Sequence, residues 1–285
     1  DRCPIQFGPK ASPLDRVLQG AAVIFDDSGL CRDPEGDPCS GSGHLYSDRR
    51  TLITSAHLLY LRDKGRMMTR EEIAQGIGVF FKVWVPPGKR EKPSEPYEFR
   101  RYTVGDVSFG TEGDPFGSND NDFAFLRLTE GVSEVVDGVR VPERYRITPL
   151  LPYKDVDLSK GPAKVFMGGY FNNSEYKAQK NCRPINLSEI PSGYSGGFYS
   201  GKDALVFHDA DTVDGASGSA LVYQGEKNKF YFLALHKGGA PTENKKDGFS
   251  WSKDRSSRYN LAIKGSRIGP LADSFISSFS TARSH

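Results

Sequence analysis

An all-β chain, a barrel or sandwich with one terminal helix, is the fold class that three features of this sequence predict. Short apolar or alternating runs recur along it, among them Ala21 to Phe25, Thr51 to His57, Phe123 to Leu126 and Phe230 to His236. Turn-forming residues punctuate these runs, with 31 glycines and 18 prolines in 285 residues. Helical spacing is prominent only near the end, where Leu271, Phe275, Ile276 and Phe279 share a face.

In chain order, residues 1–19 contain Pro4, Pro9 and Pro13 without a clear period, which predicts an extended arm lying over a surface. Ala21 to Phe25 is the first strand. Gly43 to Ser47 and Thr51 to His57 flank the charged turn Asp48-Arg49-Arg50 and predict a hairpin whose second strand ends in a histidine. Thr69-Arg70-Glu71-Glu72 has capping-box spacing, so a short helix starts there and stops near Gly76. Gly78 to Val85 reads as a strand, Pro86 to Glu95 as an exposed loop, and Tyr97 to Phe109 as one or two strands. The acidic turn Asn119-Asp120-Asn121-Asp122 then leads into the buried strand Phe123 to Leu126. Leu128 to Arg146 is charged and weakly patterned, as a connection between two halves would be. Further strands are expected at Ala163 to Tyr170, Ala204 to His208, Ala220 to Tyr223 and Phe230 to His236, with Gln224 to Lys229 as a hairpin loop. Pro270 suits the first turn of the terminal helix.

Composition narrows the function classes. With 37% hydrophobic and 12% aromatic content the chain can bury a sizeable core. Lysine and arginine number 38 against 36 acidic residues, and a net charge of +2 gives no attraction for nucleic acid. No apolar run reaches the roughly 18 to 20 residues that span a bilayer. The first residue is Asp1, as in a trimmed chain. Cys3, Cys31, Cys39 and Cys182 form an even set without metal spacing, which predicts two disulfides and export, to the exterior or the periplasm. Cys31 with Cys39 closes a short Asp/Pro/Gly-rich loop, leaving Cys3 for Cys182. Asp114, Asp120 and Asp122 lack a regular cation-binding loop, so no metal and no cofactor is expected.

The candidate chemistry lies in Asp211-Thr212-Val213-Asp214-Gly215-Ala216-Ser217-Gly218-Ser219-Ala220. Glycines bracket Ser217 where one strand turns into the next, and they tolerate φ values that other residues avoid. In such a turn the amides of Gly215 and Ser217 can face one concavity, an oxyanion hole for an attacked carbonyl. A serine hydroxyl needs a base held by a third group. His57 and Asp122, each at the end of a predicted strand, are the candidates. The order His57, Asp122, Ser217 excludes an α/β-hydrolase, which runs nucleophile, acid, histidine and needs a second glycine where Ser219 stands. His44 and His208 are expected to be structural.

These segments resemble the chymotrypsin-like serine peptidases. Thr54-Ser55-Ala56-His57 is similar to the family's segment around the base, Asn121-Asp122 to its acid segment, and Gly215-Ala216-Ser217-Gly218-Ser219 to its nucleophile motif. Gly168-Gly169-Tyr170 and Leu235-His236-Lys237-Gly238-Gly239 resemble the bacterial branch that contains the glutamyl endopeptidases. The resemblance implies two six-stranded antiparallel β-barrels packed together with a C-terminal helix. Its division is an arm (1–19), a first barrel (20–135) with His57 and Asp122, a connection (136–150), a second barrel (151–268) with Ser217 and the pocket, and a helix and tail (269–285). It implies a monomeric secreted endopeptidase acting on polypeptide substrates through an acyl-enzyme on Ser217. Ala216 stands where the animal digestive enzymes keep an aspartate that pairs with a new N-terminus, so local hydrogen bonds and packing must hold the turn.

Two specificities stay open. Asp211 matches the position that selects Arg and Lys in trypsin, whereas Thr212 and a cationic or hydrogen-bonding His236 match positions that hold a Glu carboxylate. Alternation along Phe230 to His236 puts His236 on the face of Phe232 and Ala234, so a core position competes with a pocket one. A non-catalytic binding module on the same frame is the rival from another class. Residues from Lys237 to Arg258 read as a solvated loop.

Overall fold

The computed structural model describes residues 2–32, 37–116, 120–156, 165–171, 175–182, 184–185, 204–208, 215–239 and 260–281. Its strands, in chain order, are β1 (Arg2–Pro4), β2 (Ala21–Asp26), β3 (Ser40–Leu45), β4 (Thr51–Thr54), β5 (Tyr60–Leu61), β6 (Arg66–Met67), β7 (Ile77–Trp84), β8 (Tyr97–Tyr102), β9 (Val104–Phe109), β10 (Ala124–Leu128), β11 (Val135–Val136), β12 (Val139–Arg140), β13 (Val165–Phe171), β14 (Glu175–Cys182), β15 (Pro184–Ile185), β16 (Leu205–His208), β17 (Ala220–Gln224), β18 (Phe230–Gly239) and β19 (Asn260–Lys264). The helices are α1 (Pro13–Leu18), α2 (Arg70–Gly76) and α3 (Gly265–Thr281).

Two large antiparallel sheets organise these strands, in the orders β8-β7-β2-β3-β4-β10-β9 and β1-β14-β13-β17-β18-β19-β16-β15. The chain is therefore mostly β with a C-terminal helix, as expected, but the sheets have seven and eight strands among the described residues rather than six each. The edges of the first sheet, β8 and β9, are separated by Thr103 alone. A one-residue link between opposite edges forces the sheet to curl back on itself. No ladder joins β8 to β9 among the described residues, so the sheet is a curled half-barrel and not a closed one.

Period-two alternation explains how the sheets meet. Along β10 the side chains of Ala124, Leu126 and Leu128 join a core inside the first sheet with Ile24, Leu52 and Val79. Phe123 and Phe125 point the other way, into a second core with Leu18, Ile53, Val222 and Phe232 between the sheets. A third core inside the second sheet holds Val165, Met167, Leu221 and Ala234. Strands at the seam thus bury both faces, which is why they read as unbroken apolar runs. Burying each large side chain this way stabilises the fold by about 1.5–3 kcal/mol. Leu150 bridges Tyr46 and Leu151 bridges Tyr231, so the connection threads from one sheet to the other.

Several expectations need correction. The N-terminal arm is extended only at β1; Ser12 caps α1, with the Asp15 side chain returning to the Ser12 backbone in a capping box. That Ser-x-x-Asp signal was present in the sequence. Helix α2 follows its predicted capping box, Thr69 with Glu72. Helix α3 starts five residues before Pro270, which lies inside it. Its buried face is formed by Ile268 and Ala272 with Phe275 and Ile276 packed against the core, whereas Leu271 is exposed. The Cys31–Cys39 disulfide is present, with Cα atoms 5.3 Å apart. Cys3, however, pairs with Ala178, four residues along β14 from Cys182. That offset is about 14 Å of extended chain, twice the usual disulfide Cα limit of about 7 Å, so the second predicted bridge does not fit this register.

Candidate active site

Strand register brings the first two candidates together. Ala124 pairs with Thr54 in an antiparallel ladder, which sets residue 122 level with residue 56. Beyond Thr54 the chain tightens into a 3-10 turn, Ala56–Leu59, closed by the Tyr60 amide donating to the His57 carbonyl. On the other side, the Phe123 amide donates to the Asn121 carbonyl, drawing Asp122 inward as Phe123 buries its ring. The Asp122 carboxylate is fully buried. Its Oδ1 accepts the His57 amide at 2.8 Å and its Oδ2 accepts His57 Nδ1 at 2.8 Å. Burial pushes the Asp122 carboxyl up, but His57 and Lys237 beside it and the His57 amide outweigh that and hold it below its usual range. An ionised carboxylate can only accept, so His57 Nδ1 carries the proton of this hydrogen bond.

Ser217 lies at the mouth of the turn, 6% exposed. Gly215 and Gly218 have φ of 84° and 85°. A Cβ at Gly218 would run into the Ser42 carbonyl and come within 2.6 Å of Thr54 Oγ1. Ser42 holds the turn: its Oγ donates to the Gly215 carbonyl at 2.8 Å and its amide to the Ser217 carbonyl at 2.7 Å. Thr54 Oγ1 in turn donates to the Ser42 carbonyl at 2.7 Å. Ala216 is buried in the inner core of the second sheet, so packing adds to the hydrogen bonds that hold the turn. The Ser219 amide donates to the Ala216 carbonyl and the Gly218 amide to the His236 carbonyl. Among the described residues no acceptor takes the amides of Gly215 and Ser217. Ser217 Oγ donates to the Lys237 carbonyl at 3.3 Å.

Strand β18 completes the cluster. His236 is buried and its Nδ1 lies 3.0 Å from Nε2 of buried His208. Burial, then the neighbouring His208 and His57, push the His236 pKa well below 6.5, and burial lowers His208 to about 3. These shifts favour the neutral form of His236. Lys237, expected in a solvated loop, is buried, with Nζ 3.7 Å from Asp122 Oδ2 and 3.4 Å from the Pro115 carbonyl. Desolvation lowers its pKa while Asp122 opposes that fall. Phe116 tilts against the His57 ring at a centroid distance of 5.5 Å, with the Arg62 guanidinium 3.9 Å above it.

The structure thus joins His57 to Asp122 and His208 to His236, and holds Gly215 and Ser217 on Ser42 and Lys237; among the described residues no hydrogen bond joins Ser217 to His57, and Asp211 and Thr212 lie outside those residues. Ser42 and Lys237 escaped the sequence reading because their roles depend on contacts across strands. Asp114 is a turn residue whose carboxylate accepts the Phe116 amide. Among the described residues no group of three or more His, Cys, Asp or Glu is arranged to hold a metal ion, and no helix is long and apolar enough to cross a membrane. A scan against protein-family models and a search of curated proteins each find no match to the chain.

Proposed function

We propose that the chain is a serine endopeptidase of the chymotrypsin type, with His57 and Asp122 on the curled first sheet and Ser217 on the second. The observation that carries this reading is the buried Asp122 carboxylate gripping both the amide and Nδ1 of His57, with a glycine turn whose Gly215 and Ser217 amides meet no acceptor among the described residues. Ser217 Oγ leaves the Lys237 carbonyl by rotation about its Cα–Cβ bond and attacks a peptide carbonyl carbon, passing its proton to His57 Nε2. The carbonyl π electrons move onto oxygen, where the amides of Gly215 and Ser217 stabilise the charge. As the tetrahedral species collapses, the C–N bond breaks and the leaving amine takes the proton from Nε2. A water molecule then repeats the sequence on the acyl-enzyme, releasing the carboxylic acid and restoring Ser217.

For specificity we favour Glu in the substrate. A neutral His236 whose Nδ1 engages His208 is suited to donate a hydrogen bond to a substrate carboxylate. Asp211 is the alternative, for Arg or Lys. The Cys31–Cys39 disulfide supports an oxidising compartment, hence secretion or the periplasm.

A fluorophosphonate probe and a peptide library test both parts. Phosphonylation of Ser217, lost in Ser217→Ala and His57→Ala, is expected, together with cuts after Glu. Cuts only after Arg or Lys would remove the Glu specificity. A folded chain that neither labels nor cleaves would leave only a binding module on this frame.

A further inference from the structure

Lys237 has no place in the acyl-transfer scheme above, yet it is one of the most buried cations among the described residues, 4% exposed. Its ammonium makes an ion pair with the carboxylate oxygen that receives His57 Nδ1, and a hydrogen bond to the Pro115 carbonyl. Its own carbonyl receives the Ser217 hydroxyl. One residue therefore touches the acid, the hydroxyl of the candidate nucleophile, and the segment that sets Phe116 against the His57 ring. A buried cation is costly unless paired, and it is retained here at the junction of both sheets.

We propose that Lys237 is a positioning residue of this site, clamping the Asp122 carboxylate and opposing the positive charge that develops on His57 during acyl transfer. The proposal rests on the peptidase reading. The charged and titratable groups around the clamp are Asp122, Asp120 and Asp114 from the segments before β10, His57 from the 3-10 turn, His236 from β18, His208 from β16, and Arg62 over Phe116. Among the described residues Asp122 lies within ion-pair distance of the ammonium. With Lys237 present, a proton arriving on His57 meets a carboxylate already neutralised. Without it, the same proton meets an uncompensated buried anion and binds more tightly.

Lys237→Met, similar in length and uncharged, tests this through the pH profile of kcat/KM on a peptide substrate. The acid limb is expected to move to higher pH by about one unit, with KM on the alkaline plateau within about twofold of wild type. A purely structural loss would lower kcat at every pH without moving the limb, and an unmoved limb in an active, folded variant overturns the proposal while the peptidase reading stands. A wild-type chain that is folded but neither labels nor cleaves overturns the peptidase reading and this role with it. If Lys237→Met does not fold, Lys237→Met/Asp122→Asn, which leaves neither charge, carries the test. Recovery of a cooperative unfolding transition in the double variant supports the clamp, and no recovery overturns it.

Discussion

Ser217 and three histidines show how much one side chain's surroundings decide. Ser217 packs with little volume, so Ser217→Ala is expected to keep the fold within about 1 kcal/mol while lowering kcat by at least about 10⁴-fold. Retained turnover in a peptide assay would remove the hydroxyl from the chemistry. Burial pushes the His44 pKa down to about 4 and that of His208 to about 3, and His236 is lowered too. All three are neutral in the folded chain, whereas in the unfolded chain they take up protons near pH 6.5. The unfolded state therefore binds more protons below that pH. Stability present in full above about pH 6.5 is lost as pH falls towards the folded values, at up to about 1.4 kcal/mol per pH unit per histidine. Asp122, whose carboxyl is held low, adds a loss of the same sign at still lower pH. Urea midpoints measured at pH 7, 6 and 5 are expected to fall steadily; a flat profile would mean the histidines are not buried as described.

Individual strands and turns carry the next layer. β3 was expected as a hairpin arm, and it is also the support of the Gly215–Gly218 turn, through Ser42. Ser42→Ala strands the Gly215 carbonyl without its donor, a cost of about 1 kcal/mol in stability. Because the turn's amides then lose their fixed position, kcat is expected to fall by about tenfold or more with KM near wild type. Unchanged kcat would free the turn from Ser42. A capping box made α2 legible from local sequence, since its partners lie three residues apart, whereas the same kind of signal at Ser12 and Asp15 was hidden among the prolines of the arm. Pro270 was misleading because its preference for a first turn is a statistical one, and here α3 continues through it while Ile268 and Ala272 anchor the preceding turns in the core. β11 and β12 turn through Asp137 and Gly138, both with positive φ, an Asp-Gly signal that the charged surroundings concealed.

Across the molecule, the site exists because two sheets meet on a shared apolar layer. Phe125 of the first sheet stacks on Phe275 of α3 at 5.7 Å, and Ile268 of the same helix packs in the core that holds Phe232 of the second. The helix thereby ties both sheets to one core. The Cys31–Cys39 disulfide, by contrast, constrains a short loop against the core of the first sheet, and Cys31 Sγ lies against the Tyr60 carbonyl. Replacing both cysteines by serine is expected to lower stability by about 2–3 kcal/mol without altering peptide specificity. Comparing urea midpoints and cleavage products of the two forms checks this; an altered cleavage pattern would connect that loop to the pocket.

Local grammar was enough to specify the longer strands of the first sheet, the helix capped by Thr69, the short disulfide and the order His57, Asp122, Ser217. Each depends on neighbours a few residues apart, or on residue types that few other arrangements require. The curl of the first sheet, the burial of Lys237, the neutrality of His236 and the part played by Ser42 were decided only in the folded chain. They turn on register and on desolvation, and both are set by which strands pack across the seam. A lysine after a histidine looks like solvated chain until the carboxylate of Asp122, more than a hundred residues away, comes within 3.7 Å of its ammonium.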